Sequence, residues 1–179
     1  MKRALMFLPV LLAVAFGIFL YAGLGKDPQE LESALIGKPV PAFQLGALRE
    51  PDRTLTPEIF QGRAALLNVW GTWCPACRDE HDDLMWLAEE EGIPIIGLNY
   101  KDNRNAALRW LEDLGDPYQL NVFDPQGTLG FDLGVYGAPE TYIIDPQGIV
   151  RYRHVGVVNP QVWEEKLAPV FRQYQEEQP

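Results

Sequence analysis

An apolar run, Ala65-Leu66-Leu67-Asn68-Val69-Trp70, is followed after three residues by Cys74-Pro75-Ala76-Cys77, and that junction constrains the fold more than any other part of the chain. The run is nearly continuous and rich in residues that pack well in sheets, the pattern of a strand buried on both faces. Pro75 suits the first position of a helix, where its missing N–H leaves nothing unpaired. Beyond it, Cys77, His81, Leu84, Met85 and Ala88 fall at i, i+4, i+7, i+8 and i+11, one stripe of a helix that Gly92 closes. The two cysteines therefore stand where a buried strand gives way to a helix.

The rest of the chain supplies what such a junction needs. Prolines at 39, 41, 51 and 57 punctuate residues 37–62, which read as an extended lead-in with a hairpin. A second apolar strand spans Ile93–Asn99. A helix from about Asn103 to Leu114 carries Ala107, Trp110, Leu111 and Leu114 on one side and ends at Gly115. A short strand follows near Gln119–Phe123, then a loop or single helical turn through Gly134. Glu140–Asp145 and Ile149–Val155 flank the turn signal Pro146-Gln147-Gly148 and read as an antiparallel hairpin. Asn159-Pro160 opens a last helix, with Trp163, Leu167, Val170, Phe171 and Tyr174 inward. This order specifies an α/β fold, a central mixed β-sheet flanked by helices. A CxxC at the strand-to-helix junction of a βαβ pattern is the thioredoxin-like arrangement. We assign that domain to residues 37–175, with a polar linker at 26–36 and a polar tail at 176–179.

Residues 1–25 are of another kind. Lys2 and Arg3 precede an uncharged stretch from Ala4 to Gly25, long enough to cross the hydrocarbon core as a helix. The cleavage signal Gly23-Leu24-Gly25 is weak, so the segment reads as an uncleaved signal-anchor, a cleaved signal being the alternative. Pro9 is tolerable in a membrane helix. The two basic residues favour the inner side, placing the remainder outside, which in a bacterium is the periplasmic side of the inner membrane. That remainder is acidic. Net charge is −10, and because Lys2 and Arg3 precede the first acid, Asp27, the chain beyond them holds 25 acids against 13 bases. Such a surface repels phosphate backbones, which argues against nucleic acid as a partner.

The chain has two cysteines, both in the motif. A structural disulfide closing so small a loop removes little unfolded-state entropy. A zinc site could formally use Cys74, Cys77, His81 and His154, but the spacing puts His81 on the core-facing stripe, where a satisfied core residue is the simpler reading. Thiol–disulfide exchange needs an accessible thiolate and a second thiol to resolve the mixed disulfide. At a helix start, Cys74 is expected to be exposed and to receive the positive end of the helix dipole and free N–H groups. Cys77 is expected to lie beneath it, shielded. Cys74 is thus the attacking thiol and Cys77 the resolving one. No cofactor or metal is expected.

Trp73-Cys74-Pro75-Ala76-Cys77, with the run before it and Arg78-Asp79-Glu80-His81 after it, resembles the WCxxC region of periplasmic thioredoxin-like proteins. Gly134-Val135-Tyr136-Gly137-Ala138-Pro139-Glu140-Thr141 is similar to the GVxGxPET motif of the cytochrome c biogenesis thiol:disulfide interchange proteins, the CcmG or DsbE type. The resemblance implies that Ala138–Pro139 is cis and that Pro139 sits beside Cys74. It further implies that the pair reduces other disulfides, keeping the haem-attachment cysteines of apocytochrome c, or of its thiol carrier protein, as thiols. Electrons would then come from a membrane thiol–disulfide transporter of the DsbD type. Cytosolic thioredoxins carry a proton-moving aspartate six residues before the first cysteine; here that residue is Asn68, which does not titrate. Glu80, at i+3 from Cys77, and Glu140, after the proline, are the candidates for that work, with water as the alternative and a solvated surface charge as the competing reading of each. With Asp79 they outnumber Arg78, so the surroundings disfavour thiolate and make the dithiol reducing. A general periplasmic thiol oxidase or isomerase is the competing enzyme reading. A redox-inert binding module for extended chains is the competing reading of another class.

Overall fold

The computed structural model describes residues 33–175, together with 12–14 and 16–17, which are helical. The chain divides into two compact units, Met1–Leu31 and Glu32–Pro179. Among the described residues no helix is long and apolar enough to cross a membrane. Most of the Ala4–Gly25 stretch, the linker to residue 32 and the tail 176–179 lie outside the described residues.

In the larger unit, β1 (Leu45–Gly46) and β2 (Thr54–Leu55) form the hairpin of the lead-in. β3 (Ala65–Trp70), α1 (Pro75–Asp79), α2 (His81–Glu89), β4 (Ile95–Tyr100), α3 (Arg104–Leu114), β5 (Leu120–Asp124) and α4 (Thr128–Leu133) follow. Then come β6 (Glu140–Ile144), β7 (Val150–Val155), α5 (Pro160–Val162), a π-helical turn (Trp163–Leu167) and α6 (Ala168–Gln175). The main sheet is ordered β5-β4-β3-β6-β7. β4 runs parallel to β3 and β5 to β4, whereas β6 and β7 are antiparallel, so the sheet is mixed.

β3 is central, and all six of its residues are buried. Successive side chains point to opposite faces. Leu66 and Trp70 join a core with Leu84 and Leu87 of α2, Ala107 and Leu111 of α3, Leu167 of the π-helical turn and Phe171 of α6. Ala65, Leu67 and Val69 join a second core with Leu129 and Leu133 of α4 and Val40, Leu55 and Phe60 of the lead-in. Cys74 and Cys77 belong to the first.

Three expectations are amended. The helix after Pro75 is not continuous: it breaks at Glu80, whose φ of −88° and ψ of −9° lie at the edge of the helical region. The buried stripe is consequently Cys77, Glu80, His81, Leu84 and Leu87, with Met85 and Ala88 only half-buried. A helix, α4, forms where a loop or single turn was expected, because the Asp124 carboxylate accepts the N–H groups of Thr128 and Gly130 at its start. The second strand begins two residues late, at Ile95, since Pro94 has no N–H to give the ladder.

Candidate active site

Cys74 is the N-cap of α1, and its Sγ accepts the backbone N–H of Cys77 at 3.0 Å. The two are joined by a disulfide, with Cα atoms 5.3 Å apart. The expected exposure of Cys74 is not found: Cys74 is 2% and Cys77 3% exposed. Both cysteines are covered by the first core, of which they form part. The N–H donor that favours a Cys74 thiolate is in place.

The loop before the pair is braced by a residue the sequence reading passed over. Asp102 Oδ2 accepts the Thr72 N–H at 2.7 Å and Asn99 Nδ2 at 2.9 Å; Oδ1 accepts the Thr72 hydroxyl and the Asn103 N–H, each at 2.7 Å. Its neighbour Asn103 caps α3, which is legible locally, but Thr72 lies 30 residues away. Trp73 donates its Nε1–H to Tyr100 O at 3.0 Å while half of the ring stays exposed. Gly71 permits this, since a Cβ there would stand 2.5 Å from Trp73 Nε1.

Glu80 is fully buried, one turn beyond Cys77 on the same stripe. Its Oε1 accepts from Asn68 Nδ2 at 2.9 Å and its Oε2 from the Val158 N–H at 2.8 Å. Burial pushes its pKa up to about 7; the two N–H donors pull the other way, and Asp83 adds a small upward push. Glu80 is thus no solvated charge. The position that carries an aspartate in cytosolic thioredoxins holds the amide that touches this carboxyl.

Glu140 is placed differently. Its register partner on β3 is Val69, one residue on from Asn68, so it points to the opposite face from Asn68 and Glu80. There its carboxylate is paired with Arg153 at 2.9 Å, accepts the Tyr142 hydroxyl at 2.8 Å and accepts the Tyr136 N–H at 2.9 Å. The charge balance read from the sequence is therefore corrected: Arg153, not counted there, neutralises Glu140, and Arg78 does not oppose three acids alone. Tyr142 is raised above the usual phenol range by burial and by that carboxylate. The Ala138–Pro139 bond is cis, as the resemblance implies. Pro139 is buried, and Ala138 packs on the core that holds the two cysteines.

The histidines do not gather with the cysteines into a ligand set. His81 lies buried with Nε2 3.1 Å from Gly115 O, and burial lowers its pKa. His154 Nε2 is 3.3 Å from Val157 O. Among the described residues no three His, Cys, Asp or Glu side chains are placed to hold a metal ion.

A disulfide that spans two residues adds little to the fold. Set at the start of a helix, with an N–H on the first sulfur and a buried carboxyl one turn beyond the second cysteine, it is equipped for exchange. The class defined is a thiol–disulfide oxidoreductase of thioredoxin-like architecture. Comparison with known proteins narrows the class: residues 35–168 match the Redoxin family model. The thiol:disulfide interchange protein DsbE of Pseudomonas aeruginosa is 55% identical over 99% of this chain and 98% of its own length. The DsbE of Escherichia coli K12 is 50% identical over the same shares. The crystal structure of a secreted thiol-disulfide isomerase from Corynebacterium glutamicum superposes with a TM-score of 0.65 at 26% identity, covering 81% of this chain and 95% of the other. The chain belongs to the redoxin family, among the DsbE-type thiol:disulfide interchange proteins.

Proposed function

We propose that this protein is a membrane-anchored periplasmic reductant serving cytochrome c maturation, with Cys74 as the attacking thiol and Cys77 as the resolving thiol. The observation that carries the reading is the buried carboxyl of Glu80 one turn from Cys77, in a chain related along its whole length to DsbE proteins. The Cys74 thiolate attacks a sulfur of the partner's disulfide, forming a mixed disulfide and expelling the partner's second sulfur as thiolate. Cys77 passes its proton to the Glu80 carboxylate and attacks Cys74 Sγ, which releases the partner's first sulfur. Two electrons have then moved to the partner, and Cys74 and Cys77 are left as the disulfide. A dithiol of a DsbD-type transporter restores them by the same exchange in reverse.

Pro139 forms the wall of the site across from the pair. Glu140 is a positioning residue, because its carboxylate holds the backbone of Tyr136 just ahead of the cis bond. Apocytochrome c, or its thiol carrier protein, is the substrate. Residues 1–25 are the anchor in the inner membrane, 26–36 the linker, 37–175 the catalytic domain and 176–179 a tail.

Trapping tests the reading. Cys77→Ser in the full chain is expected to accumulate mixed disulfides with an apocytochrome c or its carrier, and Cys74→Ser to accumulate none. A trapped population of assorted unrelated secreted proteins, with a strongly oxidising potential against glutathione, would support the general oxidase or isomerase instead. The anchor is checked separately: full-length protein should stay with membranes through a high-salt wash.

A further inference from the structure

Glu80 ends a chain of buried side chains that the exchange steps above leave unused. Asn68 engages every polar atom of its side chain: Nδ2 donates to Glu80 Oε1 at 2.9 Å and to Thr141 Oγ1 at 3.1 Å, and Oδ1 accepts the Tyr118 hydroxyl at 2.8 Å. Tyr118 is buried and stacked on Trp70, ring centroids 5.4 Å apart, so its hydroxyl is held in place. An ionised carboxylate only accepts hydrogen bonds, whereas a protonated one must also donate. The present arrangement suits the ionised form, since the donor end of the amide faces Glu80.

A proton arriving on Oε1 from Cys77 would meet that donor end and leave a buried N–H and O–H opposed, which is costly. Turning the amide over removes the conflict. Oδ1 would then accept from the protonated carboxyl, and Nδ2 would face Tyr118. The two remaining partners, Tyr118 and Thr141, are hydroxyls, and a hydroxyl changes from donor to acceptor by rotating its hydrogen. Three bonds are made in either orientation, with one Nδ2 hydrogen left over in the turned one.

We propose that Asn68, held by Tyr118, is a positioning residue that answers the protonation of Glu80, donating to the carboxylate and turning over to accept from the carboxylic acid. This rests on Glu80 as the proton acceptor for Cys77. Asn68 from β3 and the Val158 N–H bond to Glu80, Asp83 from its own helical stretch adds like charge, and Tyr118 ahead of β5 feels its charge; Thr141 from β6 reaches it through Asn68, His154 of β7 is paired in the sheet with Thr141, and Cys77 lies three residues before it on the buried stripe. No cation is among the influences on Glu80, so the amide is what accommodates the change of charge.

The experiment uses the full chain in detergent, in its disulfide form so that no thiol titrates, with glutamate labelled at the carboxyl carbon for NMR. Glu80→Gln assigns the signal. In the unsubstituted protein the Glu80 carbon titrates near neutrality, and the side-chain amide resonances of Asn68 move with the same midpoint. Tyr118→Phe, nearly isosteric, frees the acceptor end to turn toward Glu80 and raises that midpoint by about half a unit; Asn68→Leu, which removes the donor outright, raises it by about one. A purely structural role would lower stability and leave the midpoint alone. Asn68 resonances that stay still through the Glu80 titration, or a midpoint unmoved in a folded Tyr118→Phe, overturn the proposal. The underlying reading of Glu80 fails separately, if Glu80→Gln keeps the neutral-range step in the pH profile of thiol exchange.

Discussion

Two glutamates are buried to the same degree on opposite faces of one sheet, and they are met by opposite kinds of partner. Glu140 meets a guanidinium, a phenol and a backbone N–H, so its charge is compensated from several directions. Glu80 meets two neutral N–H donors and no cation. Compensation makes the first carboxylate a permanent fixture of the loop before Pro139. The lack of it leaves the second with a pKa of about 7, able to gain and lose a proton near neutral pH, one turn beyond Cys77. What separates the two acids here is the partner, not the burial.

The largest effect should come from breaking the compensated site. Arg153 and Glu140 have side chains 5% and 0% exposed. Glu140→Ala takes the counter-ion from a buried guanidinium that keeps the Gly134 carbonyl and the Tyr136 and Tyr142 rings, a loss of about 3 kcal/mol of folding stability, measurable by urea unfolding. A loss within the range of ordinary surface substitutions would show that Arg153 finds water or another partner, and the contrast between the two acids would weaken.

The uncompensated site should reveal itself through pH. The folded-state pKa of Glu80, about 7, is above the ordinary value of 4.5. Between those values the folded form binds the proton more readily than the unfolded one. Its contribution to stability is therefore full below about pH 4.5 and is lost as pH rises through about 7, a total of about 3 kcal/mol. Glu80→Gln should flatten that part of the stability profile, leaving the variant less sensitive to pH than the unsubstituted chain. Parallel profiles between pH 4.5 and 7.5 would mean that Glu80 is ionised throughout.

A smaller effect is expected at Asp102. Asp102→Asn replaces one oxygen of a saturated carboxylate, which accepts two hydrogen bonds, by a donor NH2: at Oδ1 it faces the Thr72 hydroxyl and the Asn103 N–H, at Oδ2 the Thr72 N–H and the Asn99 amide. We expect about 1–2 kcal/mol of destabilisation, with a change in Trp73 fluorescence marking the loop. An unchanged emission spectrum would show that the indole is fixed by Tyr100 alone.

The legible parts of this molecule are the ones encoded over short distances. The strand at 65–70, Pro75 at a helix start, the Asn103 and Asn159 caps and the 146–148 turn each occupy a few consecutive residues, and the junction that carries Cys74 and Cys77 is of this kind. Asn68 with Tyr118, Thr72 with Asp102 and Glu140 with Arg153 are 50, 30 and 13 residues apart. No periodicity joins such pairs; the sheet does. The opposite facing of Glu80 and Glu140 follows from one register, Asn68 against Thr141, and a sequence without that register leaves both acids on the same side of the argument. The break at Glu80 was hidden for a related reason: helical spacing alone puts residue 80 beside the stripe, and only its bonds to Asn68 and Val158 show that it belongs inside.

The smallest predicted effect is the one closest to the chemistry. An ionised Glu80 near Cys77 disfavours a second negative charge there. If the like-charge effect is about one pK unit, it amounts to about 1.4 kcal/mol. Glu80→Gln removes that charge, so thiolate becomes more stable, the dithiol form is favoured and the reduction potential rises, by about 30 mV for that energy. The rise should depend on pH in a defined direction. Above the Glu80 pKa of about 7 the unsubstituted chain carries the charge and the variant does not, so the two potentials differ. Well below it both carry a neutral group, and the difference closes. Equilibration with glutathione at about pH 8 and pH 6 measures both limbs, the second of which a mere packing defect would not reproduce. A constant offset at the two pH values would assign the change to altered packing around Cys77, and equal potentials at both would leave the sulfur pair tuned by the N–H on Cys74 Sγ and not by the buried acid.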